Sequence, residues 1–120
     1  MRNIFFRGKR ILDSEWVYGY LSWSFEKGYK IDGYPVDDET VGQNTGAADI
    51  NGKAIFEGDI VRFGTRADFR VIHDDNTCSF KLGFIGVRGS MPLMKPHVTV
   101  LAEVIGNIWD NPELLKEAAE

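Results

Sequence analysis

Two closely spaced glycine turns in the run from Thr45 to Val61 constrain the fold of this chain more than any other segment. Asn51-Gly52 is the strongest two-residue hairpin signal, because a type I′ turn requires positive φ at both central residues. Asp49 precedes this pair, where its carboxylate can accept a backbone N–H and tighten the bend. Glu57-Gly58-Asp59 predicts a second turn, and a β-branched strand begins directly after it at Ile60-Val61. The run therefore predicts short antiparallel strands joined by tight connections.

Short strands separated by glycine-containing turns are predicted along most of the chain. From Cys78 to Phe84, apolar residues alternate with polar or small ones, which is typical of a half-buried strand. Residues 90–96 contain two prolines and are predicted as an irregular loop. The predicted strands are 4–7, 16–23, 29–31, 60–63, 66–73, 78–84, 98–101 and 104–108. This series predicts a mainly β fold, a small barrel-like or related β fold with tight hairpins.

One short helix is predicted at the C-terminal end. Asn111 is a favourable N-cap residue, and Pro112 suits the first helical position because its missing N–H is not needed there. Glu113 complements the positive end of the helix dipole. Leu114-Leu115 provides an apolar anchor, which Ala118-Ala119 extends weakly. A helix this short is marginal alone. We therefore expect it to dock either on its own domain or on a neighbouring subunit.

Composition places the chain among ordinary globular proteins. Its 120 residues are 43% hydrophobic and 27% charged, which excludes the disordered class and predicts a single domain over residues 1–120. Eight Phe, four Tyr and three Trp suit small β cores. The net charge of −4 argues against a protein coated in positive potential for indiscriminate nucleic-acid binding.

The compartment is predicted from the N-terminus and from cysteine usage. Arg2, Arg7, Lys9 and Arg10 interrupt any apolar run that a signal peptide would need, and no stretch has the length of a membrane span. The lone Cys78 has no partner for an internal disulfide. We expect a protein of the bacterial host cytoplasm that does not contact the membrane.

The run from Thr45 to Val61 resembles the YopX family of small bacteriophage and prophage proteins, whose pattern reads roughly T-G-x-x-D-x-N-G-x-x-I-x-x-G-D-I-V. Residues 6–21 and 103–115 resemble the opening and the close of the same family. Asn44 departs from the pattern, because an aromatic residue is common there. The positions that carry the resemblance and that we expect to shape turns are Thr45, Gly46, Asp49, Asn51, Gly52, Gly58, Asp59, Gly106, Asn107 and Pro112.

Membership in this family implies an all-β, barrel-like domain that ends in a short helix and tends to self-associate. It implies no enzymatic activity. The glycines and aspartates of the motif either shape loops or contribute directly to binding, and the first interpretation is favoured because each residue type fits a turn.

The search for catalytic or metal chemistry yields only weak candidates. His73-Asp74-Asp75 and Cys78 supply metal-ligand atoms without the ligand set of a structural zinc site, and Asp37-Asp38-Glu39 lacks the spacing of a calcium loop. The alternating row predicts Cys78 to be buried and inert, and nothing near His97 in sequence marks it as a base. The glycines of residues 83–89 are not followed by the Lys-Ser/Thr of a P-loop. We expect no catalytic, cofactor or metal site, and no enzyme.

Two functional hypotheses follow. The first is a protein-interaction or assembly module that forms homo-oligomers and binds a phage or host protein. The alternative is a nucleic-acid accessory factor with an SH3-like basic and aromatic surface, formed by Arg62, Arg66 and Arg70 beside Phe63 and Phe69. The competing interpretation of those five residues places the phenylalanines in the core and the arginines on the solvated face.

Overall fold

β-strands account for most of the regular structure in a computed structural model that describes residues 5–64 and 67–115. The prediction of a mainly β fold is confirmed. The chain divides into two compact units, Met1–Gly46 and Ala47–Glu120. That it behaves as one domain over residues 1–120 stays a prediction.

The first unit contains two antiparallel sheets of short strands. Its elements are β1 (Phe6–Lys9), β2 (Trp16–Gly19), β3 (Leu21–Ser24), β4 (Gly28–Ile31), β5 (Tyr34–Pro35), a 3₁₀ turn (Asp38–Thr40) and the start of β6 (Gly42–Ala48). β1 pairs with β2 along its full length and with the first residues of β6. β4 lies between β3 and β5 in a three-stranded sheet.

A small apolar core organises this unit around two side chains that are almost completely inaccessible. Ile31 and Val36 are 0% and 1% exposed. Gly8 on β1 packs against both, since a Cβ there would lie 3.2 Å from Ile31 Cδ1 and 3.2 Å from Val36 Cβ. A larger residue at position 8 would push β1 away from this core.

The second unit contains the larger core and a five-stranded antiparallel sheet. Its elements are the end of β6, β7 (Ala54–Phe56), β8 (Asp59–Phe63), β9 (Ala67–Asp74), β10 (Ser79–Phe84), β11 (Ser90–Pro92), α1 (Lys95–Leu101), β12 (Ala102–Asn107) and a 3₁₀ turn (Pro112–Leu115). The sheet order is β11-β10-β9-β8-β12. With β11 and β12 at its edges the sheet is open and is not a closed barrel.

Strand register separates the two faces of this sheet. The pair Val61↔Phe69 belongs to the core, whereas the neighbouring pair Arg62↔Asp68 lies on the opposite face. Alternation along a strand forces this separation, because successive side chains point to opposite sides. The buried core cluster consists of Ala47, Ile55, Val61, Phe69, Val71, Leu82, Val98 and Ala102.

The strand predicted over residues 98–101 is wrong, because this segment is the C-terminal part of α1. Pro96 lies in the first turn of the helix, where a missing N–H is tolerated, and Val98 N–H donates to Met94 O at 3.1 Å. Val98 is fully buried in the core cluster. Tertiary burial therefore overrides the β preference of Val98 and Val100. The loop predicted over residues 90–96 also contains β11.

The turn at Asn51-Gly52 is present, but the predicted type I′ geometry is wrong. Gly52 has φ of +81°, whereas Asn51 is not among the residues with positive φ. Gly52 N–H donates to Asp49 O, and Asp49 N–H donates to Lys53 O. This is a three-residue hairpin loop that ends in a left-handed glycine. The predicted turn at Glu57-Gly58 is confirmed.

Three further differences concern strand ends and the C-terminus. The strand predicted over residues 16–23 is two strands, β2 and β3, separated at Tyr20. Cys78 is exposed, with φ of +55°, so the predicted buried thiol is wrong and β10 begins one residue later. The predicted C-terminal helix is seen as the 3₁₀ turn Pro112–Leu115. Its predicted extension, Ala118-Ala119, lies outside the described residues.

Candidate interaction surface

The carboxylate of Asp49 connects two distant parts of the second unit. Its Oδ1 accepts the N–H groups of Asn51 and Lys53, each at 2.9 Å, and its Oδ2 accepts Val104 N–H at 2.9 Å. The side chain is 2% exposed. Burial raises the pKa of Asp49, but the three backbone hydrogen bonds, with a smaller contribution from the charge of Lys53, outweigh burial and leave the pKa below its usual value. The ionised group thus fastens the hairpin loop to β12.

Gly58 and Asp59 form a second connection in the same unit. Asp59, 2% exposed, accepts Phe56 N–H at 2.8 Å and closes the turn between β7 and β8. Gly58 donates to Val71 O and accepts from Ile108 N–H. The ring of Trp109 covers its Cα so closely that a Cβ would overlap Cζ3 and Cη2. Glycine is therefore required here for space as well as for its φ of +93°.

Gly106 and Asn107 hold the turn that follows β12. Asn107 Oδ1 accepts the N–H groups of Trp109 and Asp110 at 3.0 and 2.8 Å. Asn111 was predicted as a helix N-cap, but its Oδ1 instead accepts Asn107 N–H at 3.1 Å. Its backbone carbonyl accepts Leu114 N–H, which places Pro112 in the first turn as predicted.

Replacing Gly106 with alanine is expected to destabilise the protein by about 1–3 kcal/mol, because a Cβ there would overlap Oδ1 of Asn111 and displace that side chain. Urea unfolding followed by circular dichroism measures this loss. The matched control is Gly83→Ala, because Gly83 also lacks a positive φ and its new Cβ would make only ordinary contacts, at 3.5 Å from Arg70 Cγ and Ile72 Cδ1. Equal losses at positions 106 and 83 would contradict the packing explanation for Gly106.

Thr45 and Gly46 lie on β6 at the end of the first unit. Gly46 N–H donates to Asn44 Oδ1 at 2.8 Å, and Gly46 has φ of +86°. Asn44 N–H in turn donates to Phe5 O. The polar residue that replaces a common aromatic at position 44 is therefore 9% exposed and bonded to the glycine that follows it. Every motif residue whose contacts are described helps to shape the backbone.

Large aromatic side chains are exposed at one end of the three-stranded sheet of the first unit. Trp23 on β3 and Tyr29 on β4 are cross-strand partners, 60% and 36% exposed. Phe25, just beyond β3, is 92% exposed and meets Trp23 edge to face at a ring separation of 6.2 Å. Tyr20 is 81% exposed but precedes β3 at its other end and does not belong to this group. We call Trp23, Phe25 and Tyr29 the aromatic surface.

The aromatic surface lies next to the apolar core of the first unit. Leu21 and Trp23 lie on the same face of β3, and Leu21 pairs with the buried Ile31. One end of this face is therefore covered while the other presents aromatic rings to solvent. β3 is also an edge strand of the sheet that the described residues form. Its outer backbone groups remain available for pairing with another strand.

Comparison with known proteins identifies the family. The model of the family described as YopX protein matches residues 6–116. The chain belongs to the YopX family. A search of curated protein sequences gives no match. The crystal structure of protein EF1440 from Enterococcus faecalis is similar to the YopX-family chain described here, with a TM-score of 0.67 and 21% sequence identity over 97% of this chain and 100% of that one. At this identity the likeness shows the fold alone.

The three arginines predicted to contact nucleic acid have different settings in this YopX-family chain. Arg62 donates from Nε and Nη2 to the carboxylate of Asp68 at 2.8 and 3.0 Å, so a bidentate ion pair occupies its guanidinium. Arg70 shares that face of the sheet and is exposed. Arg66 lies outside the described residues. Whether these arginines bind nucleic acid stays a prediction.

Phe63 and Phe69 do not contribute to a basic surface. They pack edge to face at 5.4 Å in and beside the core cluster, on the side of the sheet away from Arg62. The interpretation that placed these phenylalanines in the core is confirmed. It follows from β-strand alternation, because residues 62 and 63 must point to opposite faces.

The candidate catalytic and metal residues remain dispersed. His73 Nδ1 lies 2.7 Å from Asp75 Oδ1, and Asp74 pairs instead with Lys81 Nζ at 2.7 Å. Cys78 Sγ contacts the carbonyl of Asp75 at 3.7 Å. Over residues 5–64 and 67–115, no group of three or more His, Cys, Asp or Glu side chains is arranged to hold a metal ion.

The acidic run near residue 38 has a local structural role. Asp37 Oδ1 accepts Glu39 N–H at 3.1 Å and caps the 3₁₀ turn Asp38–Thr40. His97 is exposed on α1, in the other unit.

None of the helices in the described ranges has the length and apolar character that a membrane crossing requires.

Sequence reasoning missed the aromatic surface and one concave site. Trp23 and Tyr29 are separated by the bend at Lys27-Gly28, and only strand register shows them as cross-strand partners. An aromatic run with little accompanying charge between residues 16 and 25 was the available signal. The concave site beside the glycines of residues 83–89 is formed by segments far apart in sequence.

Proposed function

We propose that this protein is a non-enzymatic protein-interaction module that self-associates through the aromatic surface. The exposure of Trp23, Phe25 and Tyr29 together on one sheet is the observation that carries the proposal. Exposed apolar clusters are uncommon on monomeric soluble proteins and mark contact sites. Tyr and Trp are the residue types that most often dominate interface energetics.

A second copy of the chain is the occupant that fits this surface. Pairing of β3 with β3 of another copy would satisfy the outer backbone groups of both edge strands. A two-fold arrangement would also bring each aromatic surface against its symmetry mate, because such an interface uses the same patch twice. The implied tendency of the family to self-associate points the same way. A phage or host protein that adds a strand at β3 would use the same chemistry.

The proposal predicts a concentration-dependent mass that Trp23→Ser abolishes. Light scattering from micromolar to millimolar concentrations should show the wild-type mass rising above the 13.5 kDa of one chain. Loss of a buried interface tryptophan costs about 2 kcal/mol or more, which weakens association by about thirtyfold or more. Phe25→Ser should act in the same direction.

Leu12→Ser is the matched control, since Leu12 is 87% exposed in the first unit but lies outside the aromatic surface. Its association should equal that of the wild type. An equal loss in Leu12→Ser and Trp23→Ser would assign the effect to general hydrophobicity. A wild-type mass that stays at 13.5 kDa at every concentration would contradict the proposal.

The nucleic-acid alternative has weaker support. Asp68 already pairs with Arg62, and the net charge of the chain is −4. Salt-dependent binding of single- or double-stranded DNA would favour it, with Arg70→Ala weakening the complex. Unchanged mobility of both probes at low salt would count against it.

A further inference from the structure

A concave site of about 500 Å³ in the second unit combines positive charge with apolar walls. Segments of β9, β10, the β10–β11 loop and the 3₁₀ turn Pro112–Leu115 form it. Two arginines line it together with apolar residues and glycines, and no acidic residue is among its lining residues. The side chains that matter here are Arg70, Ile72, Val87, Arg88 and Leu115. Its volume lies in the range of sites for small organic molecules.

The two arginines differ from the other arginine on this sheet. Arg62 is ion-paired with Asp68, whereas neither Arg70 nor Arg88 makes an ion pair with any residue in 5–64 or 67–115. The stem of Arg70 lies across Gly83, its cross-strand partner, since a Cβ at Gly83 would be 3.5 Å from Arg70 Cγ. The site therefore holds two positive charges that the described residues do not neutralise.

The loop that lines the site is fixed by aromatic packing on the other face of the sheet. Phe84 is the cross-strand partner of Phe69, and its ring lies 5.8 Å from that core ring. It also rests on Gly89, where a Cβ would come within 3.1 Å of Phe84 Cδ2 and Cε2. Phe84 N–H donates to Gly89 O and closes the loop. The loop is consequently anchored to the core, while Arg70 and Ile72 lie on the opposite face of their strand.

We propose that this site binds a small organic oxyanion, a carboxylate or a phosphate monoester carried on an apolar group. Guanidinium groups bind both oxyanions through paired charge-assisted hydrogen bonds. The apolar part of such a ligand would contact Ile72, Val87 and Leu115, as ligand pockets combine a few polar groups with apolar walls. This activity goes beyond self-association and uses a different unit of the chain.

Titration of ¹⁵N-labelled full-length protein with three probes tests the proposal. Phenyl phosphate and N-acetyl-phenylalanine share the proposed chemistry and distinguish phosphate from carboxylate. N-acetyl-phenylalanine amide keeps the apolar group but lacks the charge. At least one anion should shift the amide resonances of residues 70 and 83–89, and the neutral amide should not.

Arg70→Gln and Arg88→Gln should each weaken binding of the effective anion by about tenfold or more, because each removes a charge-assisted hydrogen-bond donor. Lys95→Gln is the matched control, as it removes one exposed positive charge from the same unit at a residue that does not line the site. Wild-type-like amide spectra of all three variants would show that they fold.

Several outcomes would overturn the proposal. Equal shifts with the neutral amide would show that the arginines have no role in binding. Equal weakening by Lys95→Gln would show that the two arginines act only through general electrostatic attraction. If neither anion shifted the resonances of residues 70 and 83–89, binding of oxyanions at this site would be contradicted. Shifts there with a thymidine oligonucleotide but with neither small anion would assign the arginines to nucleic acid.

Discussion

Replacing Asp49 with asparagine is expected to reduce the free energy of unfolding by about 3 kcal/mol, one of the two largest effects predicted for this chain. Asparagine keeps the shape of the side chain but presents an NH₂ group where one carboxylate oxygen stood. If its oxygen serves Asn51 and Lys53, the NH₂ group faces Val104 N–H, and two donors then oppose each other. Urea unfolding at neutral pH measures the loss.

The pH dependence of that loss has a definite sign. Because the pKa of Asp49 is lowered from 3.8 in the folded protein, its ionised form stabilises the fold above about pH 4. This contribution is lost as pH falls from there through the lower folded pKa. The difference in stability between wild type and Asp49→Asn should therefore shrink below about pH 4.

Asp38→Asn is the matched control for the loss of one negative charge, since Asp38 is exposed. It should change the free energy of unfolding by less than about 0.5 kcal/mol. An Asp49→Asn protein as stable as Asp38→Asn at neutral pH would contradict the assigned role of the three hydrogen bonds.

The second large effect is expected from Gly58→Ala, which should destabilise the protein by about 2–5 kcal/mol. Positive φ costs alanine about 1–2 kcal/mol, and overlap with the Trp109 ring adds about 1–3 kcal/mol for the displacement it forces. Thermal and urea unfolding provide the measurement. Tryptophan fluorescence should also change, because Trp109 must move.

Gly52→Ala separates the two causes. Gly52 has φ of +81°, but nothing lies within 4 Å of the added Cβ, so only the backbone cost of about 1–2 kcal/mol applies. In the double variant Gly58→Ala/Trp109→Leu, removal of the ring should recover about 1–2 kcal/mol relative to additivity. Strict additivity would show that the ring does not explain the requirement for glycine.

The contrast between these two glycines shows what the sequence could predict. Gly58 was predicted to need an unusual backbone, which is a local property of a turn. The ring above it belongs to Trp109, and no short-range pattern connects two residues so far apart along the chain. The same holds for Asp49, whose local bonds to the loop were predicted but whose bond to Val104 was not.

Errors in the predicted elements have similar physical causes. Residues 98–101 have a strand-like composition, but burial of Val98 and the proline in the first turn favour a helix. Asn51 was assigned positive φ because Asn-Gly usually forms a two-residue loop, whereas the bond between Asp49 and Lys53 extends the loop by one residue. Arg62 was a candidate nucleic-acid contact, and its ion pair with the cross-strand residue Asp68 was not predicted. In each case, contacts formed in the folded chain decided the outcome.

The mainly β fold and the family could be predicted from the sequence because the signals that identify them are local. The turns of the motif are closed by bonds within a few residues, such as those from Gly52 N–H to Asp49 O and from Phe56 N–H to Asp59, so their spacing forms a readable pattern. The aromatic surface depends on how β3 and β4 align, and the concave site depends on three separate segments. Both candidate sites therefore became visible only in the folded chain.

Hydrogen exchange as a function of protein concentration tests the central claim, self-association at the aromatic surface, most directly. If β3 pairs with β3 of another copy, the outward-facing amides of Leu21–Ser24 should exchange more slowly as concentration rises, while those at the β12 edge remain unchanged. The same series on Trp23→Ser should show no change at β3. Protection of residues 21–24 that is independent of concentration in the wild type would contradict the account.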